Sequence, residues 1–326
     1  MTSKSLISVE RLQVHFSTTR GLLRAVNNVS FEVNRGEAYG IVGESGSGKS
    51  VTALSILRIL PPTSRIGFGE ILFNGRNLLS LSDKEMRAIR GREISMIFQD
   101  PQSSFDPIFT ISNQIGEAVS IHRKLVTKER DKHITMLLRS VGIPEPEIRK
   151  NHYPHQFSGG MKQRAMSAMA LSNSPELIIA DEPTTSLDVT IQAQIIELFR
   201  NLIKELGVSI LLITHDMGLI AELCDSVSVM YAGYIVETAD VYSLFRNPRH
   251  PYTRALIDSI PRLDLDKDKL VSIPGRVPDP LNIPHFCVFQ PRCNFSTDIC
   301  LGGMPELLQV REGTKVACYR AQRGDL

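Results

Sequence analysis

Residues 7–14 (Ile-Ser-Val-Glu-Arg-Leu-Gln-Val) alternate between apolar and polar side chains, and residues 25–33 (Ala-Val-Asn-Asn-Val-Ser-Phe-Glu-Val) do the same. A period of two predicts strands with one covered face. Residues 37–42 (Glu-Ala-Tyr-Gly-Ile-Val) form a shorter, more continuous apolar run, the pattern of a buried strand. From Lys49 to Leu60 the period becomes helical, and Pro61-Pro62 ends it. Residues 84–90 predict a short helix, and 94–98 a strand ended by Gln99-Asp100-Pro101. Residues 110–150 are mostly helical and charged, and the run 123–133 (RKLVTKERDKH) reads as a solvated helix face. Strand patterns return at 177–180, 208–214, 226–230 and 233–237. Strands alternating with helices predict an α/β fold, a sheet flanked by helices. Prolines at 248, 251, 261, 274, 278, 280, 284 and 291 then interrupt any long element. A boundary therefore falls at about 248, dividing the chain into 1–248 and 249–326.

Composition narrows the class. The chain has 326 residues, room for one large domain and a small one. A net charge of +2 is too small to argue for nucleic acid as a partner. No stretch reaches the roughly 18–20 consecutive apolar residues of a membrane span. The first residues lack the apolar core of a signal peptide, so a cytosolic chain is expected. In a reducing cytosol, clustered cysteines point to metal rather than disulfides. Cys287, Cys293, Cys300 and Cys318 crowd the C-terminal end with spacing C-x5-C-x6-C-x17-C. Four thiolates can hold zinc or an iron–sulfur cluster, or they can remain free thiols; no C-x2-C knuckle favours zinc. Cys224 stands apart in a helical stretch and is expected to be a buried small hydrophobe.

The densest chemistry lies at Gly43-Glu44-Ser45-Gly46-Ser47-Gly48-Lys49-Ser50, a match to G-x-x-x-x-G-K-S between a buried strand and a helix. Such a loop can fold its backbone N–H groups around phosphate oxygens, with the helix N-terminus adding positive potential. The Lys49 ammonium can reach the β- and γ-phosphates of ATP, and the Ser50 hydroxyl can ligate Mg²⁺. Val51 follows in the same first turn. The strand at 177–180 runs into Asp181-Glu182, two carboxylates where an open α/β sheet binds ligands. Asp181 fits a water-mediated Mg²⁺ ligand, and Glu182 a group that polarises the attacking water.

These residues resemble the ATP-binding subunits of ABC transporters over nearly the whole chain. Phe157-Ser158-Gly159-Gly160-Met161-Lys162-Gln163-Arg164 is similar to the family signature, with Met161 in place of the usual glutamine, so an amide hydrogen bond there is lost. Gln99 resembles the Q-loop, a Mg²⁺-site residue. Ser186-Leu187-Asp188 resembles the D-loop, His215 the switch histidine, and Phe16 the adenine-stacking aromatic. The resemblance implies a RecA-like P-loop core with an antiparallel β subdomain and a helical subdomain at about 100–160. It also implies a head-to-tail dimer in which Ser158, Gly159 and Gly160 cap the ATP of a second ABC ATPase subunit. Residues 249–256 (Arg-His-Pro-Tyr-Thr-Arg-Ala-Leu), 153–161 and Pro291-Arg292-Cys293 resemble the oligopeptide and dipeptide importers. That implies a small irregular cysteine-containing extension, with a [4Fe–4S] cluster on the four cysteines as in some members. It further implies a heterodimer with a second ATPase, two transmembrane permease subunits, an extracellular or periplasmic binding protein, and residence on the cytoplasmic face of the membrane. Related importers carry nickel, metal chelates or oligosaccharides, and soluble family members act on ribosomes or in DNA repair. A single cassette and a short interval between loop and signature point away from the soluble classes.

Overall fold

The computed structural model describes residues 5–101, 103–185, 188–260 and 273–326. These form two compact units, one of residues 1–79 and 213–326 and the other of residues 80–212.

The first unit contains two sheets. Four antiparallel strands lie in the order Gly21–Asn34, Ser5–Thr18, Ser64–Phe73, Arg76–Asn77. The two alternating segments of the sequence are its long strands, and their apolar sides are buried at Val9, Leu12, Val14, Val29, Phe31 and Val33. The Ser64–Phe73 strand escapes the alternation rule because glycines occupy it. Gly69 sits at φ +108°, and a Cβ there would lie 2.6 Å from the Glu10 carbonyl oxygen, at an irregularity in the pairing. In the second sheet Ala38–Val42 runs parallel to Ser226–Tyr231. The sheet then continues antiparallel through Tyr234–Asp240 and Thr314–Val316 to Leu308–Arg311. The C-terminal segment thus adds two short strands to the sheet that carries the glycine-rich loop.

The helix after that loop is Lys49–Ile56, shorter than the pattern to Leu60 predicts. Arg58 adopts φ +52°. Its N–H donates to the Ser55 carbonyl (3.1 Å), and the Ile59 N–H donates to the Leu54 carbonyl (3.1 Å). This pair of bonds satisfies the last carbonyls and stops the helix before the prolines are reached.

In the second unit Ile94–Ile97 pairs in parallel with Leu177–Asp181, and Ser209–Thr214 runs beside the latter. Leu177–Asp181 and Ser209–Thr214 are buried along their whole length and apolar except for Asp181, Ser209 and Thr214 at their ends, as parallel strands covered on two faces require. Helices Ile111–His122, Thr127–Ser140 and Gly159–Leu171 pack together, burying Ile115, Val119, Ile134, Leu138 and Met166. The charged run 123–133 is not one helix face. Residues 123–126 break the helix, and His133 Nε2 lies 2.9 Å from the Ser172 carbonyl oxygen. No helix among the described residues is long and apolar enough to cross a membrane.

Candidate functional site

Glycine at position 43 is dictated by crowding. A Cβ there would stand 2.0 Å from the Met230 carbonyl oxygen, so the loop can leave its strand only along this path. Gly48 takes φ +102° at the N-terminal end of the Lys49–Ile56 helix, and no side chain caps that end. The uncapped N–H groups of the first turn suit an anion. The Ser47 hydroxyl is buried without a hydrogen-bond partner. Lys49 is 5% exposed, and its Nζ donates to the carbonyl oxygens of Gly43 (2.8 Å) and Glu44 (3.1 Å). The predicted phosphate loop is thus a glycine-bounded cradle with an ammonium inside it.

Phe16 lies in the same unit, half-buried on the Ser5–Thr18 strand opposite Leu23 and Ser64. His215 also belongs to this unit and is exposed at a strand-to-helix junction. The flanking Asp216 caps the next helix through the N–H groups of Gly218 (2.7 Å) and Leu219 (3.4 Å), and its own N–H donates to Thr214 Oγ1 (3.0 Å). The histidine is therefore held at a fixed corner.

Residues Gln99, Ser158, Gly159, Gly160, Asp181, Glu182 and Asp188 belong to the second unit. Asp181 is buried as the last residue of its strand. Glu182 follows at φ +47°, a conformation costly for a residue with a Cβ and retained where surroundings enforce it. Its Oε2 accepts from Gln99 Nε2 (3.0 Å) and from Thr185 Oγ1 (3.0 Å). The structure thereby joins two predicted residues separated by 83 positions. Ser158 caps the Gly159–Leu171 helix by accepting from the Met161 N–H (3.3 Å). Ser158 and Gly159 are exposed, whereas Gly160 is buried, where a Cβ would approach Ile191 Cγ2 to 2.8 Å. Asp188 caps the Val189–Leu206 helix through the Ile191 N–H (3.0 Å), so the signature and the helix after the D-loop meet at Ile191. Ser186 and Leu187 of the D-loop lie outside the described residues.

The four C-terminal cysteines line one small cavity with His250, Phe289 and Phe295. Burial pushes the Cys287 thiol up to about 12, and burial raises Cys293 and Cys318 as well. Among the described residues no group of three or more His, Cys, Asp or Glu is disposed to hold a metal ion. The expected iron–sulfur cluster, and the alternative of zinc, therefore find no ready-made site among the described residues. Cys224 is buried, as expected, and burial pushes its thiol well above the usual range.

Sequence reasoning passed over three contacts. Thr185 supports Glu182. Tyr252 and Arg292, from the C-terminal segment, touch Glu44 of the phosphate loop. Both lie in the stretches that resemble peptide importers, which was the one available signal.

Comparison with known proteins agrees with this arrangement. Residues 26–185 match the ABC transporter family, and residues 236–300 match the oligopeptide/dipeptide transporter C-terminal region. A probable peptide ABC transporter ATP-binding protein of Sinorhizobium fredii is 51% identical over 318 residues, covering 97% of this chain and 95% of that one. The chain belongs to the ABC transporter ATP-binding proteins. A second relative of this ABC ATPase is the dipeptide transport ATP-binding protein DppD of Escherichia coli, 46% identical over 315 residues, with 97% and 96% of the two chains covered. Among solved structures, a dimeric ATP-binding cassette in a post-hydrolysis state with ADP and Pi superposes with a TM-score of 0.66 at 26% identity. It covers 72% of this chain and 98% of that one. The fold is thus the RecA-like cassette expected from the motifs, and the ABC ATPase binds and hydrolyses ATP with Mg²⁺.

Proposed function

We propose that this chain is the ATP-hydrolysing subunit of an importer of dipeptides or oligopeptides, working on the cytoplasmic face of the membrane. One observation carries the cargo: near-full-length likeness to dipeptide transport ATP-binding proteins, including the region specific to that group at 236–300. The assembly would comprise a second, different ABC ATPase, two permease subunits and a substrate-binding protein. Residues 1–248 are taken as the nucleotide-binding domain and 249–326 as its appended segment.

The residues have divided roles in this proposal. Phe16 stacks on the adenine. The N–H groups of 43–51 and the Lys49 ammonium neutralise phosphate charge. Ser50, Gln99 and Asp181 would hold Mg²⁺, which would help neutralise phosphate charge. Glu182 and His215 place the attacking water. The exposed Ser158 and Gly159 at a helix N-terminus support a contact with the partner subunit's nucleotide, with Gly160 and Asp188 shaping that edge. A [4Fe–4S] cluster on Cys287, Cys293, Cys300 and Cys318 is supported only by their shared cavity. Iron and sulfide analysis of anaerobically purified chain tests it.

Ile108, Phe109, Ile121 and Met136, exposed apolar residues of the helical region, are candidate contacts for the permease subunits. Purification from membranes should bring down two hydrophobic permease subunits and a second ATPase, and hydrolysis should depend on that assembly. A chain recovered alone that hydrolyses ATP at the full rate would overturn the proposal.

A further inference from the structure

Glu44 is the second residue of the phosphate loop, and the C-terminal segment holds it from two sides. Arg292 Nη1 donates to Glu44 Oε2 (2.7 Å), and Nη2 donates to Oε1 (3.0 Å). The two-pronged geometry fixes the carboxylate in direction as well as distance. The remaining donors of the guanidinium are also used. Nε donates to the Pro274 carbonyl (2.7 Å), Nη2 to the Ile273 carbonyl (3.2 Å) and Nη1 to the Tyr231 hydroxyl (3.2 Å). All five N–H groups of the arginine thus have acceptors. The Arg292 side chain is 5% exposed and that of Glu44 25%, so solvent screens the pair far less than a surface ion pair.

The backbone of Glu44 is held too. Its N–H donates to the Tyr252 hydroxyl (2.9 Å), and its carbonyl accepts from Lys49 Nζ (3.1 Å). Tyr252 is fully buried against Tyr231 (ring centroids 4.6 Å) and Phe289 (5.3 Å). The segment carrying it is anchored in turn. The buried Glu237 carboxylate accepts from the N–H groups of Arg249 (2.7 Å) and His250 (2.8 Å), and His250 Nδ1 accepts from the Tyr252 N–H (3.0 Å).

We infer that Arg292 and Tyr252 are positioning residues for ATP binding, acting through Glu44 to set the phosphate loop and its lysine. The appended C-terminal segment is then a working part of the nucleotide site. Every polar group of Glu44 is engaged: the carboxylate by Arg292, the N–H by Tyr252, and the carbonyl by Lys49 and by the Ser47 N–H (3.2 Å). Arg292 directly precedes Cys293 of the thiol-lined cavity, and Phe289 lines that cavity while packing on both tyrosines.

The inference rests on Gly43–Ser50 being the ATP site, and the test separates the two. Binding of a fluorescent ATP analogue is titrated on the full chain carrying Arg292→Ala, Tyr252→Phe, Glu44→Ala, the Glu44→Ala/Arg292→Ala pair, or Lys49→Ala. Tyr252→Phe keeps the aromatic packing and removes only the hydroxyl, so it decides the matter even if Arg292→Ala fails to fold. Arg292→Ala should weaken binding about tenfold, as expected for a shielded charged contact, and Tyr252→Phe about threefold. The double variant should be no weaker than the worse single, because both act through one contact. Unchanged affinity in Tyr252→Phe and Arg292→Ala, with Lys49→Ala abolishing binding, would overturn the positioning role alone. Native binding by Lys49→Ala would overturn the ATP site itself.

Discussion

Replacing Glu182 by glutamine removes one negative charge and little else. The two donors placed on Oε2, Gln99 Nε2 and Thr185 Oγ1, each lie 3.0 Å away, and an amide oxygen can accept both. The backbone at φ +47° asks no more of glutamine than of glutamate, so fold and ATP affinity should stay at the native level. What disappears is the anionic acceptor that orients and polarises water. Loss of one well-placed transition-state group costs about 10²–10³ in rate, or roughly 3–4 kcal/mol of barrier. The assay is phosphate release by the assembled complex at saturating Mg-ATP, paired with binding of a fluorescent ATP analogue. The expected result is native affinity with hydrolysis reduced about 10²-fold or more. Hydrolysis within about threefold of native would remove Glu182 from the chemistry, and a parallel loss of binding would mean the residue is structural.

Two further outcomes follow from packing and burial. Gly160→Ala should destabilise the chain by about 1–3 kcal/mol, because the new Cβ meets Ile191 at 2.8 Å; adding Ile191→Ala should restore most of the loss in chemical denaturation. Burial pushes His250 down to about 3 from 6.5, so the folded state resists a proton that the unfolded chain accepts. Stability from this group is therefore full above the unfolded value and falls as pH drops toward the folded one. Denaturation at roughly pH 6.5 and pH 5 should differ by about 2 kcal/mol more in the native chain than in His250→Asn, whose amide oxygen can still accept the Tyr252 N–H.

Local pattern and spacing were enough for much of this molecule. The alternation at 7–14 and 25–33, the apolar run before Gly43, the eight-residue loop and the acidic pair after a buried strand each announce themselves within about ten residues of chain. The loop, Gln99, the signature at 157–164, Ser186-Leu187-Asp188 and His215, in that order, carry the resemblance to the ABC cassette. Periodicity failed where glycine hides a strand, as at Ser64–Phe73, and where backbone hydrogen bonds rather than proline stop a helix, as at Arg58. The clustered cysteines suggest a metal site, for which the described residues show no ready-made group.

Other features exist only in the folded chain. Gln99 meets Glu182 across 83 residues, Gly160 meets Ile191, and Arg292 meets Glu44 across 248. Sequence spacing reports which side chains share a strand or a helix face, because those periods come from the backbone itself. It holds no record of which distant segments the packing brings together. The sequence by itself determined that there is a phosphate loop. Only the tertiary structure decided what holds that loop in shape, since a guanidinium and a phenol can reach Glu44 only after the C-terminal segment has packed onto the sheet that carries it.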